Sequence, residues 1–118
     1  MEKKEKPPVI PDDEVVTRLQ KELPAWHLEG RWIRRKFSTD GWPATLMLVN
    51  AIGFLSEAAW HHPDLEVTWG KVWVKLQTHE SGGITDRDFA LAKMIEKTAL
   101  WRPEKGSALQ GTPNKWVR

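Results

Sequence analysis

Three of the four histidines in this chain fall where helical and strand patterns end. His61 and His62 are adjacent near the end of a long helical pattern, and His79 ends a strand pattern. Histidine is the side chain best suited to proton transfer near neutral pH. Glu57 precedes His61 by four residues, a spacing that places both side chains on one helical face. The pattern therefore predicts an acid–base site in which Glu57 holds the His61 imidazole.

Each of these residues also has an interpretation without chemistry. A histidine pair at a helix C-terminus interacts favourably with the helix dipole, and Glu57 with His61 can be an ordinary surface pair. Asp88 follows Thr85 by three residues and completes a capping box. Zinc ligation by the three histidines stays open, although adjacent histidines converge poorly on one ion. The residues alone favour a metal-free imidazole site and name no substrate.

Composition excludes several classes of protein. The 118 residues are enough for one domain, and 40% hydrophobic with 29% charged residues is typical of a folded globular chain. The absence of cysteine excludes disulfides, thiolate metal sites and cysteine nucleophiles. The net charge is only +2, and outside the termini the chain lacks the clustered Lys and Arg of nucleic-acid binders. Apolar stretches fall short of the roughly 20 residues of a membrane span, and we expect a cytoplasmic protein.

The elements that must position these residues follow from hydrophobic periodicity and capping signals. Helical patterns cover about 13–22, 42–60 and 86–100, and strand patterns cover 26–29, 31–37, 65–69 and 71–79. Two hairpins alternating with helices predict an antiparallel four-stranded sheet with helices on one face. The predicted fold is thus α+β, in the order α-β-β-α-β-β-α.

Both ends of the chain lack a pattern able to bury an apolar face. Residues 1–12 mix charges with three prolines, and we expect a disordered arm there. Residues 13–101 hold all predicted elements and form a single domain. Residues 102–118 contain two prolines and two glycines and predict an irregular tail, whose end Trp116 and Val117 can anchor.

Along the chain the candidate residues form one spaced pattern: an acidic residue, His-His-Pro, an aromatic residue, a third His and an Asp. The intervals are three, five, nine and eight residues, met by Glu57, His61, His62, Pro63, Trp69, His79 and Asp88. This pattern resembles that of the pterin-4a-carbinolamine dehydratase family. Trp26 and the segment 78–88 are also similar to family members, and the resemblance covers about residues 15–100.

The resemblance implies removal of water from a 4a-hydroxytetrahydropterin, giving the quinonoid dihydropterin and recycling the cofactor of aromatic hydroxylation. It implies no metal and no organic cofactor. Carried over by position, His61 and His79 form the acid–base pair that flanks the 4a-hydroxyl. His62 binds and orients the pterin. The expected catalytic residues are therefore the three histidines of the pattern.

The resemblance also assigns substrate-binding roles outside the histidines. It implies that Glu57 biases the histidines, that Trp26 lines the pocket and that Asp88 positions the neighbouring groups. One departure is Trp60, which stands where the family pattern leads us to expect a polar residue. We expect Trp60 to alter the rim of the pocket or an interface.

Members of this family assemble as dimers and tetramers, so the resemblance implies a homo-oligomer. The broad apolar stripe over 42–60 agrees with a contact through the long helix. Relatives with binding roles are known, and the alternative function is a non-catalytic assembly factor, for example for RuBisCO, or a dimerisation partner. The added termini, residues 1–12 and 102–118, favour that alternative, and the tail over 102–118 offers a surface for a protein partner.

Overall fold

The computed structural model describes residues 5–118. Its four strands form one antiparallel sheet in the order β1-β2-β4-β3, and this arrangement confirms the predicted α+β fold and element order. The elements are α1 (Asp12–Glu22), β1 (His27–Glu29), β2 (Trp32–Ser38), α2 (Trp42–Ala59), β3 (Asp64–Thr68), β4 (Lys71–Leu76) and α3 (Asp86–Ala99).

The apolar core lies between the helices and one face of the sheet. Ile33 and Phe37 of β2 and Val72 of β4 are fully buried there, together with Phe89 of α3. Because successive strand side chains point to opposite faces, the intervening residues, such as Trp73, point away from the core and are partly exposed. Among residues 5–118, no helix is long and apolar enough to cross a bilayer.

The long helix α2 ends at Ala59, because Trp60 adopts a left-handed conformation with φ 54° and ψ 48°. The Trp60 N–H donates to Glu57 O at 3.3 Å, and the His61 N–H donates to Ser56 O at 3.1 Å. These two bonds satisfy carbonyls that the helix end would otherwise leave free. As a consequence, the histidines after Trp60 no longer follow helical periodicity.

The strand β4 ends at Leu76 rather than continuing to His79 as predicted. Thr78 and Gly83 form an isolated bridge, in which the Thr78 N–H donates to Gly83 O at 2.9 Å. Between them His79–Ser81 forms a 3-10 turn, closed by Gly82 with φ 78°. His79 therefore lies in a tight turn directly before α3.

Residues 5–11, which belong to the arm predicted from composition to be disordered, form hydrogen bonds with the domain. The Ile10 N–H donates to Ile84 O at 2.8 Å, and Ser81 Oγ donates to Pro7 O at 2.7 Å. The partner residues are 74 positions apart in the chain, so local composition could not reveal them. Residues 1–4 of the predicted arm lie outside the described part of the chain.

The tail over 102–118 contains no helix or strand, but its end is anchored. Val117 is buried in the core, and Ser38 and Arg118 exchange two backbone hydrogen bonds of 2.7 and 2.9 Å. β1 pairs only with residues 32–34 of β2. The end of the tail pairs with the opposite end of that strand, at Ser38. The sequence correctly identified Val117 as an anchor.

Candidate functional site

Asp88, in the first turn of α3, is the centre of a buried hydrogen-bond network. Its side chain has no exposed surface. Oδ1 lies 2.6 Å from His61 Nε2, and Oδ2 accepts from Thr78 Oγ1 at 2.8 Å and from the Thr85 N–H at 2.9 Å. A buried carboxylate with three partners meets the requirement that buried charge be hydrogen-bonded. Asp88 thus links the end of α2 to the turn that carries His79.

The direction of these hydrogen bonds follows from the donors available. A backbone N–H can only donate, and the Thr78 hydroxyl donates its single proton to Asp88. Thr85 Oγ1 must therefore donate to Thr78 Oγ1, 2.7 Å away, while accepting from the Arg87 N–H at 3.2 Å. As a carboxylate, Asp88 has no proton to donate, so Oδ1 also accepts and His61 Nε2 carries the proton in their shared bond.

This arrangement sets the tautomer of His61. With the proton on Nε2, the neutral imidazole keeps a free lone pair on Nδ1, the nitrogen that does not face Asp88. The His61 side chain is 12% exposed and Asp88 is not exposed at all. Asp88 was predicted to position neighbouring groups, and its capping-box bond to the Thr85 N–H holds it in place for His61. One carboxylate serves the cap and the histidine together.

Glu57 contacts His62 and not His61. Glu57 Oε2 lies 2.5 Å from His62 Nε2, and both side chains are at least half exposed. The predicted pairing of Glu57 with His61 is wrong, because it assumed that the helix continues to position 61. The left-handed turn at Trp60 redirects the chain, and the Trp60 indole packs edge-to-face on His62 with centroids 5.1 Å apart. Each adjacent histidine therefore has its own carboxylate.

His79 is exposed and packs edge-to-face against Trp32 of β2, with ring centroids 5.6 Å apart. It connects to the Asp88 network through Thr78, which precedes it in the chain and binds Asp88. Thr78 was not assigned a role from the sequence. Thr78 begins the segment 78–88 that resembles family members and stands beside a candidate histidine, but neither signal points to a role for its hydroxyl.

Trp26 lies apart from this network. Its side chain is buried in the core, and its indole N–H donates to Glu96 Oε1 at 2.8 Å. Glu96 also pairs with the buried Arg35, and it stands eight residues after Asp88 on α3. The pocket-lining role implied for Trp26 stays a prediction, since its visible partners are those of a core residue.

The described residues hold no ready-made ligand set for a metal. Among residues 5–118, no group of three or more His, Asp or Glu side chains is placed to hold one ion. His61 and His62 instead bind two different carboxylates, as described above. The zinc site left open by the three histidines has no preformed geometry in this part of the chain.

Comparisons with known proteins show which family this chain resembles. A family model described as pterin 4 alpha carbinolamine dehydratase matches residues 8–98. A relative from Aquifex aeolicus is 52% identical over 85 residues, which are 72% of this chain and 86% of the relative. A relative from Roseiflexus sp. is 40% identical over 88 residues, 75% of this chain and 94% of the relative. The names of both place them, provisionally, among the pterin-4-alpha-carbinolamine dehydratases.

Two solved structures share the fold. A transcriptional coactivator/pterin dehydratase from Brucella melitensis superposes with a TM-score of 0.68 at 23% identity, over 75% of this chain and 95% of its own. A pterin dehydratase-like protein described as a RuBisCO assembly factor in the alpha-carboxysome gives a TM-score of 0.56 at 20% identity, over 64% and 90% of the two chains. At these identities the likeness concerns the fold alone.

Proposed function

We propose that this chain, which belongs to the pterin-4a-carbinolamine dehydratase family, removes water from a 4a-hydroxytetrahydropterin to give the quinonoid dihydropterin. The observation that carries the proposal is the bond between His61 Nε2 and Asp88 Oδ1. A buried carboxylate that orients an imidazole is a common arrangement in acid–base catalysis. Here it occurs on residues of the family pattern.

The reaction needs one proton acceptor and one proton donor. The bond between C4a and the hydroxyl oxygen breaks, a proton joins the hydroxyl to form water, and a ring N–H loses its proton as the carbon–nitrogen double bond forms. His61 fits the acceptor, because Asp88 leaves its Nδ1 lone pair free. His79, exposed beside Trp32, fits the donor to the departing hydroxyl. After one turnover His61 holds the proton that left the ring and His79 has lost one, and proton exchange with solvent restores both.

His62 has a binding role in this proposal. Its Nε2 is held by Glu57 and its ring by Trp60, so its position is defined although half of its side chain is exposed. An exposed and oriented ring with one free nitrogen is suited to hydrogen bonding and to contact with a flat heterocycle. In this proposal Trp26 belongs to the wall of the pterin pocket.

The decisive experiment is a stopped-flow assay with freshly generated 4a-hydroxytetrahydropterin. We expect His61→Ala and His79→Ala each to lower kcat by roughly 10²–10⁴, the usual contribution of a general acid or base. His27→Ala is the matched control, since His27 packs on Trp73 away from the Asp88 network and its loss should leave turnover unchanged. Normal turnover by His79→Ala, or no activity in the unmodified protein, contradicts the proposal.

Assembly of copies of this chain belongs to the same proposal. The long helix α2 exposes several large apolar side chains that a monomer would leave in water, and these are Trp42, Leu46, Met47 and Phe54. Their exposure supports a dimer or tetramer through α2, which light scattering of the purified protein measures directly. A cytoplasmic location is proposed with it, in keeping with a chain that has no cysteine.

A second candidate is an assembly factor without catalysis, since one structural neighbour is described as a RuBisCO assembly factor. The observation in its favour is that residues 99–118 lie outside the family match and present Trp101 and Leu109 as exposed apolar side chains. Under this alternative, His61→Ala keeps the assembly function while Leu109→Ser weakens it. Under the catalytic proposal, His61→Ala lowers turnover and Leu109→Ser leaves it unchanged.

A further inference from the structure

Residues 5–10, here called the strap, lie against the turn that carries His79. Ser81 Oγ donates to Pro7 O at 2.7 Å, and the Ile10 N–H donates to Ile84 O at 2.8 Å. One bond therefore reaches the end of the 3-10 turn, and the other reaches the residue just after Gly83. Both connect segments that are far apart in the sequence.

The strap occupies the space where position 83 would have a side chain. A Cβ added to Gly83 would lie 2.8 Å from Val9 Cγ1 and 3.8 Å from Val9 Cβ. Gly83 itself is buried, although Val9 is 48% exposed. The absence of a side chain at position 83 thus permits the close approach of the strap to the turn.

Arg87 joins the strap, the turn and α3. Its guanidinium forms an ion pair with Glu80 in the turn, and Nη2 donates to Glu5 O at 3.0 Å. Arg87 precedes Asp88 in the first turn of α3, so one residue that contacts the strap is adjacent to the residue that orients His61. Through Arg87 the strap is connected both to the turn that carries His79 and to the helix turn that carries Asp88.

We propose that the strap is a positioning segment for the reaction: it holds His79 at a fixed position relative to the His61–Asp88 pair. The inference rests on the proposed function, in which His79 donates the proton. Thr78, through its bond to Asp88, fixes the turn where it leaves the sheet. The strap fixes the same turn at Ser81 and beyond. A displacement of about 1 Å in a catalytic group lowers a rate by up to roughly 10²-fold, so this second anchor matters for turnover.

Gly83→Ala is the variant that disturbs the contact between Val9 of the strap and the turn. The backbone of Gly83 does not lie in the left-handed region, so alanine adopts it without strain and only the contact with Val9 is disturbed. Val9→Ala is the matched partner, because it removes the γ-carbons and leaves the Cβ at an ordinary distance of 3.8 Å. In the double variant Val9→Ala/Gly83→Ala the strap should therefore again lie against the turn.

We expect Gly83→Ala to lower kcat about tenfold or more with KM changed less than about threefold. Val9→Ala should remain within about twofold of the unmodified protein. The double variant should recover most of the loss, which a double-mutant cycle expresses as strong coupling between the two positions. Ser81→Ala, which removes only the bond to Pro7, should lower kcat by a smaller factor. A loss in Gly83→Ala that Val9→Ala does not relieve overturns the proposal.

A spectroscopic readout distinguishes failure of the strap from failure of the proposed function. The His79 ring lies edge-to-face on Trp32, so its proton resonances are shifted by the indole ring current and report on its position. We expect these resonances to move in Gly83→Ala and to return in the double variant. Unchanged His79 resonances in Gly83→Ala overturn the strap even if the protein is an active dehydratase. Restored resonances in a protein without dehydratase activity overturn the proposed function alone.

Discussion

His61 Nε2 and Asp88 Oδ1 lie 2.6 Å apart although the two residues are 27 positions apart in the chain. The two residues come from the link after α2 and from the first turn of α3, and these helices pack against each other. Asp88 has no exposed surface and also accepts the N–H of Thr85, the N-cap residue of α3. The orientation of His61 therefore depends on the correct start of a helix distant from it in sequence.

Asp88→Asn should leave the shape of the side chain intact and still remove activity. An amide has one acceptor oxygen and one donor nitrogen, whereas Asp88 accepts on both sides. If the amide nitrogen faces His61, then Nε2 must accept, and the proton moves to Nδ1. If it faces the Thr85 N–H, two donors oppose each other. We expect kcat to fall by roughly 10²–10⁴ and stability by about 1–3 kcal/mol.

The measurements for this variant are stopped-flow turnover, urea unfolding and the nitrogen-15 shifts that report the His61 tautomer. Asp86→Asn is the matched control, because Asp86 is two residues away and its side chain is 78% exposed beside Arg18. A surface pair of this kind contributes about 0.2–1 kcal/mol, and turnover should not change. An active Asp88→Asn protein with His61 in its original tautomer contradicts the role given to Asp88.

Glu57→Gln should weaken substrate binding more than it slows chemistry. Glu57 holds His62 and does not contact His61, so its removal disturbs the ring that we assign to orienting the pterin. We expect KM to rise about three- to tenfold with kcat changed less than about twofold, the pattern of lost uniform binding. Glu14→Gln, an exposed acid on α1, is the control. A fall in kcat without a change in KM would instead place Glu57 in the proton-transfer step.

The sheet and helices could be predicted from the sequence because local periodicity determines which face of each element is buried. Val72 and Val74 alternate with Trp73 along β4, and the observed burial follows this alternation. The capping box of Thr85 and Asp88 is also a local signal and is present. Each of these features depends on residues within a few positions of one another, so one sequence contains all the information needed.

The carboxylate partners of the histidines could not be predicted, because they depend on one backbone conformation. A left-handed residue at a helix end is usually glycine, and nothing in a tryptophan at position 60 indicates φ 54°. That conformation ends α2 at Ala59 and brings His62, rather than His61, into contact with Glu57. The bond between Ser81 and Pro7 was missed for a different reason, since it joins residues 74 positions apart without any apolar pattern.

Val117→Ala should destabilise the domain without affecting its chemistry. Val117 is buried, and its neighbour Arg118 pairs with Ser38 beside the last residues of β2. Truncating a buried valine loses apolar burial and leaves a cavity, with an expected cost of about 1–2 kcal/mol. Urea unfolding measures that cost, and kcat of the folded protein should be unchanged because the tail does not contact the Asp88 network.

Val16→Ala provides the comparison for Val117→Ala. Val16 lies on α1 and is 42% exposed, so its truncation should change stability by no more than about 0.5 kcal/mol. Equal effects of the two substitutions would mean that the anchored tail contributes no more than a surface residue. A loss of turnover in Val117→Ala, in contrast, would connect the tail to the site.

An ion cluster between α1 and α3 gives the fold a defined dependence on pH. The hydrogen bond from Lys93 and that from Arg18 lower the pKa of Glu22 below its ordinary value. The folded state thus holds Glu22 ionised more strongly than the unfolded state does. Its contribution to stability is complete above the unfolded pKa of about 4.3 and is lost as the pH falls through the lower folded value.

Glu22→Gln should therefore destabilise the protein at pH 7 and have almost no effect near pH 2. We expect a difference of about 1 kcal/mol at neutral pH, the upper end for partly exposed pairs, decreasing with added salt because such pairs are screened. Urea unfolding of both proteins between pH 2 and pH 7 tests this. Glu104→Gln, at an exposed position on the tail, should show no such trend. A constant difference between Glu22→Gln and the unmodified protein across this range would mean that packing of Glu22, and not its charge, joins α1 to α3.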